Sequence, residues 1–313
     1  MNNQKPKVNY PSQLAFLLGF MGVSMVLSAF LIPLIGGMLM HVSFQQALVK
    51  INLPENANIA RLLNTLASLF VFFFPALALA RILSKRPFSQ LGFRSGISPR
   101  QILLLLGLSV ASIMLSGALG ELNEWIPLPA KWYAKAKEME EAYKASMLSM
   151  ATMRSLSDYL LSLIVLAAAP AIFEEVLFRS GFQQVFVGWT QKKWMGILIT
   201  SVLFSAFHFS YFGFLPRLAL GMVLGLIFYY SKNIWLSILL HFLNNAIVVT
   251  QLYIAGKQGR SITKTMDESI PVWWGLLSVC VLVVLFRLFK KESIRLENPK
   301  EQFLHSTQEN NKA

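Results

Sequence analysis

Cysteine is almost missing from the chain: Cys280 is the only one in 313 residues, and it lies in an apolar run. An intrachain disulfide is therefore excluded, and so is a Cys-rich metal knuckle. Charge is scarce as well, at 14% of residues against 55% hydrophobic. With a mean hydropathy of +0.54, the chain is too apolar for an ordinary soluble domain. Acidic residues are the scarcer sign, 15 against 28 Lys and Arg, for a net charge of +13. Such a balance can signal a nucleic-acid partner, but the basic residues cluster in the breaks between apolar runs and in the tail. They read as topology signals, and no nucleic-acid partner is expected. The chain has no internal repeat of the kind that marks paired transporter halves and no His-Glu-x-x-His motif.

What the sequence does contain is long apolar runs. A spanning helix needs roughly 20 mostly apolar residues, and lipid offers unpaired backbone groups no partner, so spans are helical. Candidate spans fall at 13–40, 60–83, 101–120, 156–186, 194–209, 214–230, 234–255 and 271–289. The fold class is therefore all-α, a polytopic bundle of about eight transmembrane helices. The first run follows Lys5 and Lys7 but is too long for a signal peptide, and no small-residue cleavage site stands out. The expected organisation is a cytoplasmic segment 1–12, a membrane domain 13–290 with an extracytoplasmic loop near 121–155, and a polar, disordered tail 291–313.

Basic residues in short loops stay on the cytoplasmic side. Arg81, Lys85, Arg86, Arg94 and Arg100 flank the break between the second and third spans, and Lys192, Lys193, Lys232, Arg287, Lys290, Lys291 and Arg295 fall on the same side. Both termini come out cytoplasmic in a multi-pass protein of the plasma or inner membrane. Lys257, Arg260 and Lys264 count against the scheme but are outnumbered. In the 121–155 loop, Glu140 and Lys144 have helical ion-pair spacing, and Trp125, Trp132 and Tyr133 suit an interface, so this reads as a solvated surface helix.

Ionisable residues inside spans are costly and by default functional, roughly 2.5 to 3.5 kcal/mol each at a helix centre. The fourth span reads Ala167-Ala-Ala-Pro-Ala-Ile-Phe-Glu-Glu-Val-Leu-Phe-Arg179. Pro170 removes a backbone donor and should kink the helix one turn before the carboxylates. Consecutive residues on a helix point about 100° apart, so Glu174 and Glu175 serve different purposes. Glu175 and Arg179, at i and i+4, have ion-pair spacing, which leaves Glu174 without that partner. A carboxylate without full charge compensation in an apolar site suits a general base. Read alone, the cluster also fits a charged helix end with Arg179 snorkelling to the interface. Two of the four histidines, His208 and His241, fall within other spans. A lone membrane histidine is often a helix-to-helix hydrogen-bonder, but two beside a Glu-bearing span favour a site. His241 and Asn245, again i and i+4, offer two donors suited to an oxyanion. Gly221 and Gly225 form a small-xxx-small surface for close helix packing.

Glu174-Glu175-x-x-x-Arg179, Phe204-x-x-x-His208 and His241-x-x-x-Asn245, in that order on separate spans, resemble the CPBP group of intramembrane proteases. That group includes type II CAAX prenyl endopeptidases and the bacteriocin-processing and immunity (Abi) proteins. The resemblance covers about 155–250. It implies a membrane-embedded endopeptidase in which Glu174 activates water with help from His208, His241 and Asn245 stabilise the oxyanion, and Glu175 and Arg179 support them. The partners it implies are a membrane-associated peptide or protein substrate and the lipid bilayer. The group is commonly labelled metalloprotease. Glu174, His208 and His241 would furnish a three-ligand zinc site with an open position. A metal-free mechanism is preferred because an amide such as Asn245 is a natural oxyanion donor and a rare zinc ligand. The rival classes are a transporter or proton relay built on the same residues, and a non-catalytic immunity or scaffold protein. Topology is directly testable: reporter fusions after Arg94 and after Lys144 should report opposite sides of the membrane, and a shared side would refute the assignment.

Overall fold

The computed structural model describes residues 8–150, 153, 155–260 and 270–297. The N-terminal segment before residue 8, Arg154, Lys264 and the tail from residue 298 lie outside the described residues.

The chain forms α1 (Tyr10–Met40), α2 (Phe44–Lys50), α3 (Ala57–Leu83), α4 (Pro99–Glu124), α5 (Ala130–Met150), α6 (Leu156–Thr190), α7 (Lys193–Ala206), α8 (Phe214–Ser231), α9 (Ile234–Lys257) and α10 (Val272–Glu297), with no strand among the described residues. Seven of these, α1, α3, α4, α6, α8, α9 and α10, are long and apolar enough to cross a membrane. The protein is an integral multi-pass membrane protein. The eighth expected span, α7, is a 14-residue apolar helix. At 1.5 Å per residue it extends only about 21 Å, short of a hydrocarbon core of about 30 Å.

Sequence-local chemistry starts the helices. Ser98 caps α4 and Ser155 caps α6, each in a reciprocal capping box, with Gln101 and Asp158 respectively. Asn233 caps α9 by accepting from the Trp235 amide at 3.1 Å. Inside α6 the backbone widens into π-helical turns over Leu163–Ala168 and Val176–Gln183, and α3 widens over Leu69–Phe73. One π turn lies just before Pro170 and one just before Pro75. A proline lacks the N–H for the regular bond and crowds the carbonyl four residues back, and a wider turn accommodates both effects. The loosening expected at Pro170 thus takes the form of two π turns flanking the glutamates.

Two main apolar clusters hold the bundle. Leu17, Leu79, Leu177, Phe178, Phe182 and Phe204 tie α1 and α3 to α6 and α7. Leu105, Leu108, Leu224, Leu240, Leu282 and Phe289 tie α4, α8, α9 and α10. Ala171, Phe228, Ile234 and Ile238 join the halves, so the glutamate-bearing stretch of α6 lies along their seam. Gly221 and Gly225 act as the small-residue spacing implies. A Cβ on Gly221 would meet Ser201 Cβ at 3.0 Å, and one on Gly225 would meet Gln183 Oε1 and Ile197 Cγ2 at 2.8 Å.

One boundary differs from expectation. The tail was expected to be disordered from residue 291, yet α10 runs to Glu297. Glu292 is buried and accepts from Ser98 Oγ at 2.9 Å and from Arg295 at 2.7 Å, while Ser293 accepts from Gln101 Nε2 at 3.0 Å. Polar composition suggested solvent, but the partners stand at the start of α4, far away in sequence. Replacing a buried acceptor leaves its donors unpaired, which costs about 1–3 kcal/mol. Glu292→Ala should therefore lower the thermal midpoint in detergent by an amount of that order, and an unchanged midpoint would remove the docking role.

Candidate active site

The site grows from the different faces of two adjacent residues on α6. Glu175 is fully buried and receives Arg179 Nε at 2.9 Å and Nη2 at 3.4 Å, the forked pairing its i, i+4 spacing allows. It also faces His241 Nδ1 at 3.2 Å, so α9 is tied to α6 through the same carboxylate. That contact orients the imidazole: with Nδ1–H donating to Glu175, Nε2 is turned toward Glu174.

Glu174 Oε2 lies 3.9 Å from His241 Nε2, is buried and has no hydrogen-bond partner. The separation exceeds a hydrogen bond, yet a single water at about 2.8 Å from each atom would satisfy both. The two neighbouring glutamates therefore differ as the helix geometry demands. One is locked by a guanidinium and an imidazole; the other is open.

His208 follows the C-terminal end of α7, where its Nδ1 contacts the Phe204 carbonyl at 2.8 Å. Phe204 is the hub of the site. Its ring meets the His208 ring at 5.1 Å and the His241 ring at 5.7 Å, both edge to face, and Arg179 stacks over it at 5.3 Å. Phe178 packs against Phe204 at 5.2 Å, fixing that wall. The aromatic ring thus holds both histidines and the arginine in one constellation. Asn245, one turn beyond His241, is half-buried and stands outside this hydrogen-bonded cluster. Its neighbour Asn244 is the buried amide and donates to the Leu240 carbonyl at 3.0 Å.

The donors do not fit the proposed zinc centre. Among the described residues no group of three or more His, Cys, Asp or Glu side chains converges in a metal-binding arrangement.

Sequence reasoning missed two parts of the neighbourhood. The first is Arg217, in the first turn of α8, whose Nη1 is buried without a partner and whose charge acts on both Glu174 and His208. Its signal was available, because it is the one Lys or Arg inside the apolar 214–230 run. The second is the engagement of α5, which was expected to be a solvated surface helix. Although much of it is exposed, Glu140 accepts from Ser210 at 2.6 Å, Tyr133 packs on Phe212 at 6.0 Å, and Tyr143 covers Arg217 at 5.1 Å. Between α5 and the loop after His208 lies a cavity of about 340 Å³ lined by Trp132, Met139, Phe209 and Phe214.

Residues 156–247, the stretch that contains every one of these motif residues, match the family described as type II CAAX prenyl endopeptidase Rce1-like. Over that stretch the chain is similar to the family. No curated protein and no solved structure gave a match. The matched segment takes in α6 to α8 and the first half of α9 and leaves out α1 to α5 and α10.

The buried Glu175–Arg179 pair makes a stability prediction. Removing one partner strands the other charge, at about 3–5 kcal/mol. Arg179→Ala should yield less folded protein and a lower thermal midpoint; a variant with a normal midpoint and lost activity would move Arg179 into the chemistry.

Proposed function

We propose that the protein is an intramembrane endopeptidase that hydrolyses a peptide bond in a membrane-associated protein or peptide. The observation that carries this reading is the buried Glu174 Oε2, without a hydrogen-bond partner and 3.9 Å from His241 Nε2, inside a segment that matches a membrane-protease family.

In this reading Glu174 accepts a proton from water as the water attacks the scissile carbonyl, and His208 assists from the end of α7. Negative charge develops on the carbonyl oxygen, and His241 Nε2–H and the Asn245 amide donate to it. For His241 to donate through Nε2 while Nδ1–H is held by Glu175, the ring must carry both protons. The Glu175 carboxylate at 3.2 Å counters that charge, and Arg179 in turn holds Glu175. Glu175 and Arg179 are therefore positioning residues. Glu174 then returns its proton to the leaving amine, and the products are a carboxylate and an amine.

The brevity of α7 bears on where this happens. A helix of about 21 Å ends inside the bilayer, so His208 at its end lies at membrane depth and not at the surface. If Lys192 and Lys193 mark the cytoplasmic side, as the basic-residue pattern implies, the glutamates lie 15 and 16 residues before that end of α6, roughly 24 Å along the helix. The similar heights support chemistry within the membrane.

The deciding experiment is a peptidase assay of purified protein against a library of membrane-anchored peptides. Cleavage is expected in wild type and is expected to fall about 100- to 10,000-fold in Glu174→Ala, with folding unchanged. Equal cleavage by both would end the proposal. Asn245→Ala should reduce turnover by about 100- to 1000-fold while the thermal midpoint holds, the signature of a lost oxyanion donor.

A further inference from the structure

Arg217 has no part in the chemistry above, yet its surroundings are those of a binding group. Nη1 is buried without a hydrogen-bond partner, and the guanidinium lies over the Tyr143 ring, a π face and not a carboxylate. Gly213, one turn earlier, leaves the space it occupies, since a Cβ there would collide with Nη1. Its charge acts on Glu174 and His208.

Glu174 Oε2, which faces His241, is likewise left without a hydrogen-bond partner. Orphaned polar atoms of charged groups in an apolar setting are expensive. A group that brings an acceptor to Nη1 and leaves Glu174 free for water resolves the arrangement.

We propose that Arg217 binds a carboxylate of the substrate through Nη1 and so holds the peptide with its scissile bond over Glu174. A planar guanidinium braced by an aromatic ring suits a carboxylate, which accepts charge-assisted hydrogen bonds from it. The carboxylate is either the C-terminal one of a peptide cut near its end or that of an Asp or Glu side chain. The inference rests on the peptidase reading for its role, but its test does not.

The experiment is calorimetric titration of full-length Glu174→Gln protein in detergent with three probes: N-acetyl-Ala-Ala-Leu as the free acid, the same peptide as the amide, and N-acetyl-Ala-Glu-Leu amide. The expected result is that one acidic probe binds about tenfold or more tighter than the neutral amide. Tight binding of the free acid assigns the C-terminus, and tight binding of the Glu-containing amide assigns a side chain. Adding Arg217→Gln should collapse the preference to parity, and Arg217→Lys should restore part of it, which a purely structural role would not do. Absence of any acid preference, or a preference that survives Arg217→Gln in protein with an intact thermal midpoint, overturns the proposal. Hydrolysis is not the readout. A protein that prefers the acid but cleaves nothing keeps this inference and loses the peptidase reading, while wild type that cleaves acids and amides alike does the reverse.

Discussion

A guanidinium and a carboxylate, both fully buried and 2.9 Å apart, set the terms for everything around them. Within a membrane neither charge is tolerable without the other, so Arg179 must stay on Glu175. Once that bond is made, Glu175 cannot be the open base, and its remaining acceptor capacity goes to His241. Orientation of the imidazole, the approach of α9 to α6, and the freedom of Glu174 all follow from this one pair. The stacking of Arg179 on Phe204 carries the constraint to α7 as well.

The backbone around the pair is shaped to permit it. A regular α-helix with a proline at position 170 would carry a clash and a missing bond; the π turns on either side take up both. Gly221 and Gly225 let α8 lie against Ser201 and Gln183, closing the bundle behind the site. The short α7 then delivers His208 from its end and not from its side. Each device is local, but together they pack α6, α7, α8 and α9 against one another.

Much of this was legible in the sequence, and the limits have physical causes. Apolar run length located seven of the eight expected spans, because lipid allows few alternatives to a helix, but it overstated α7 and stopped α10 short of Glu297. The Glu175–Arg179 pair could be read from spacing, since i, i+4 geometry is local. The second partner of Glu175 could not, because contact between His241 and α6 depends on packing across 66 residues of chain. The helical stretch through Glu297 was hidden for the same reason: Glu292 looks solvated until Ser98 is placed beside it. Arg217 was readable but overlooked among the apolar residues of its span, and the contacts of α5 with the 210–217 segment had no local signature.

The distribution of unsatisfied polar atoms separates structure from function in this fold. Gln183 donates to the Gly225 carbonyl, Ser237 to the Leu224 carbonyl and Asn244 to the Leu240 carbonyl, each closing a polar group inside the bundle. Several buried serine hydroxyls remain unpaired, which a rotatable neutral group makes cheap. Among charged side chains with an orphaned buried atom, Arg179 is already bonded to Glu175 by its other nitrogens, whereas Glu174 Oε2 and Arg217 Nη1 have no hydrogen-bond partner. An orphaned atom on an ionisable group is far more costly than one on a hydroxyl, so Glu174 and Arg217 are the positions where stability alone gives the weakest account. Under the proposed hydrolase reading they are where a base and a hold on the substrate are needed.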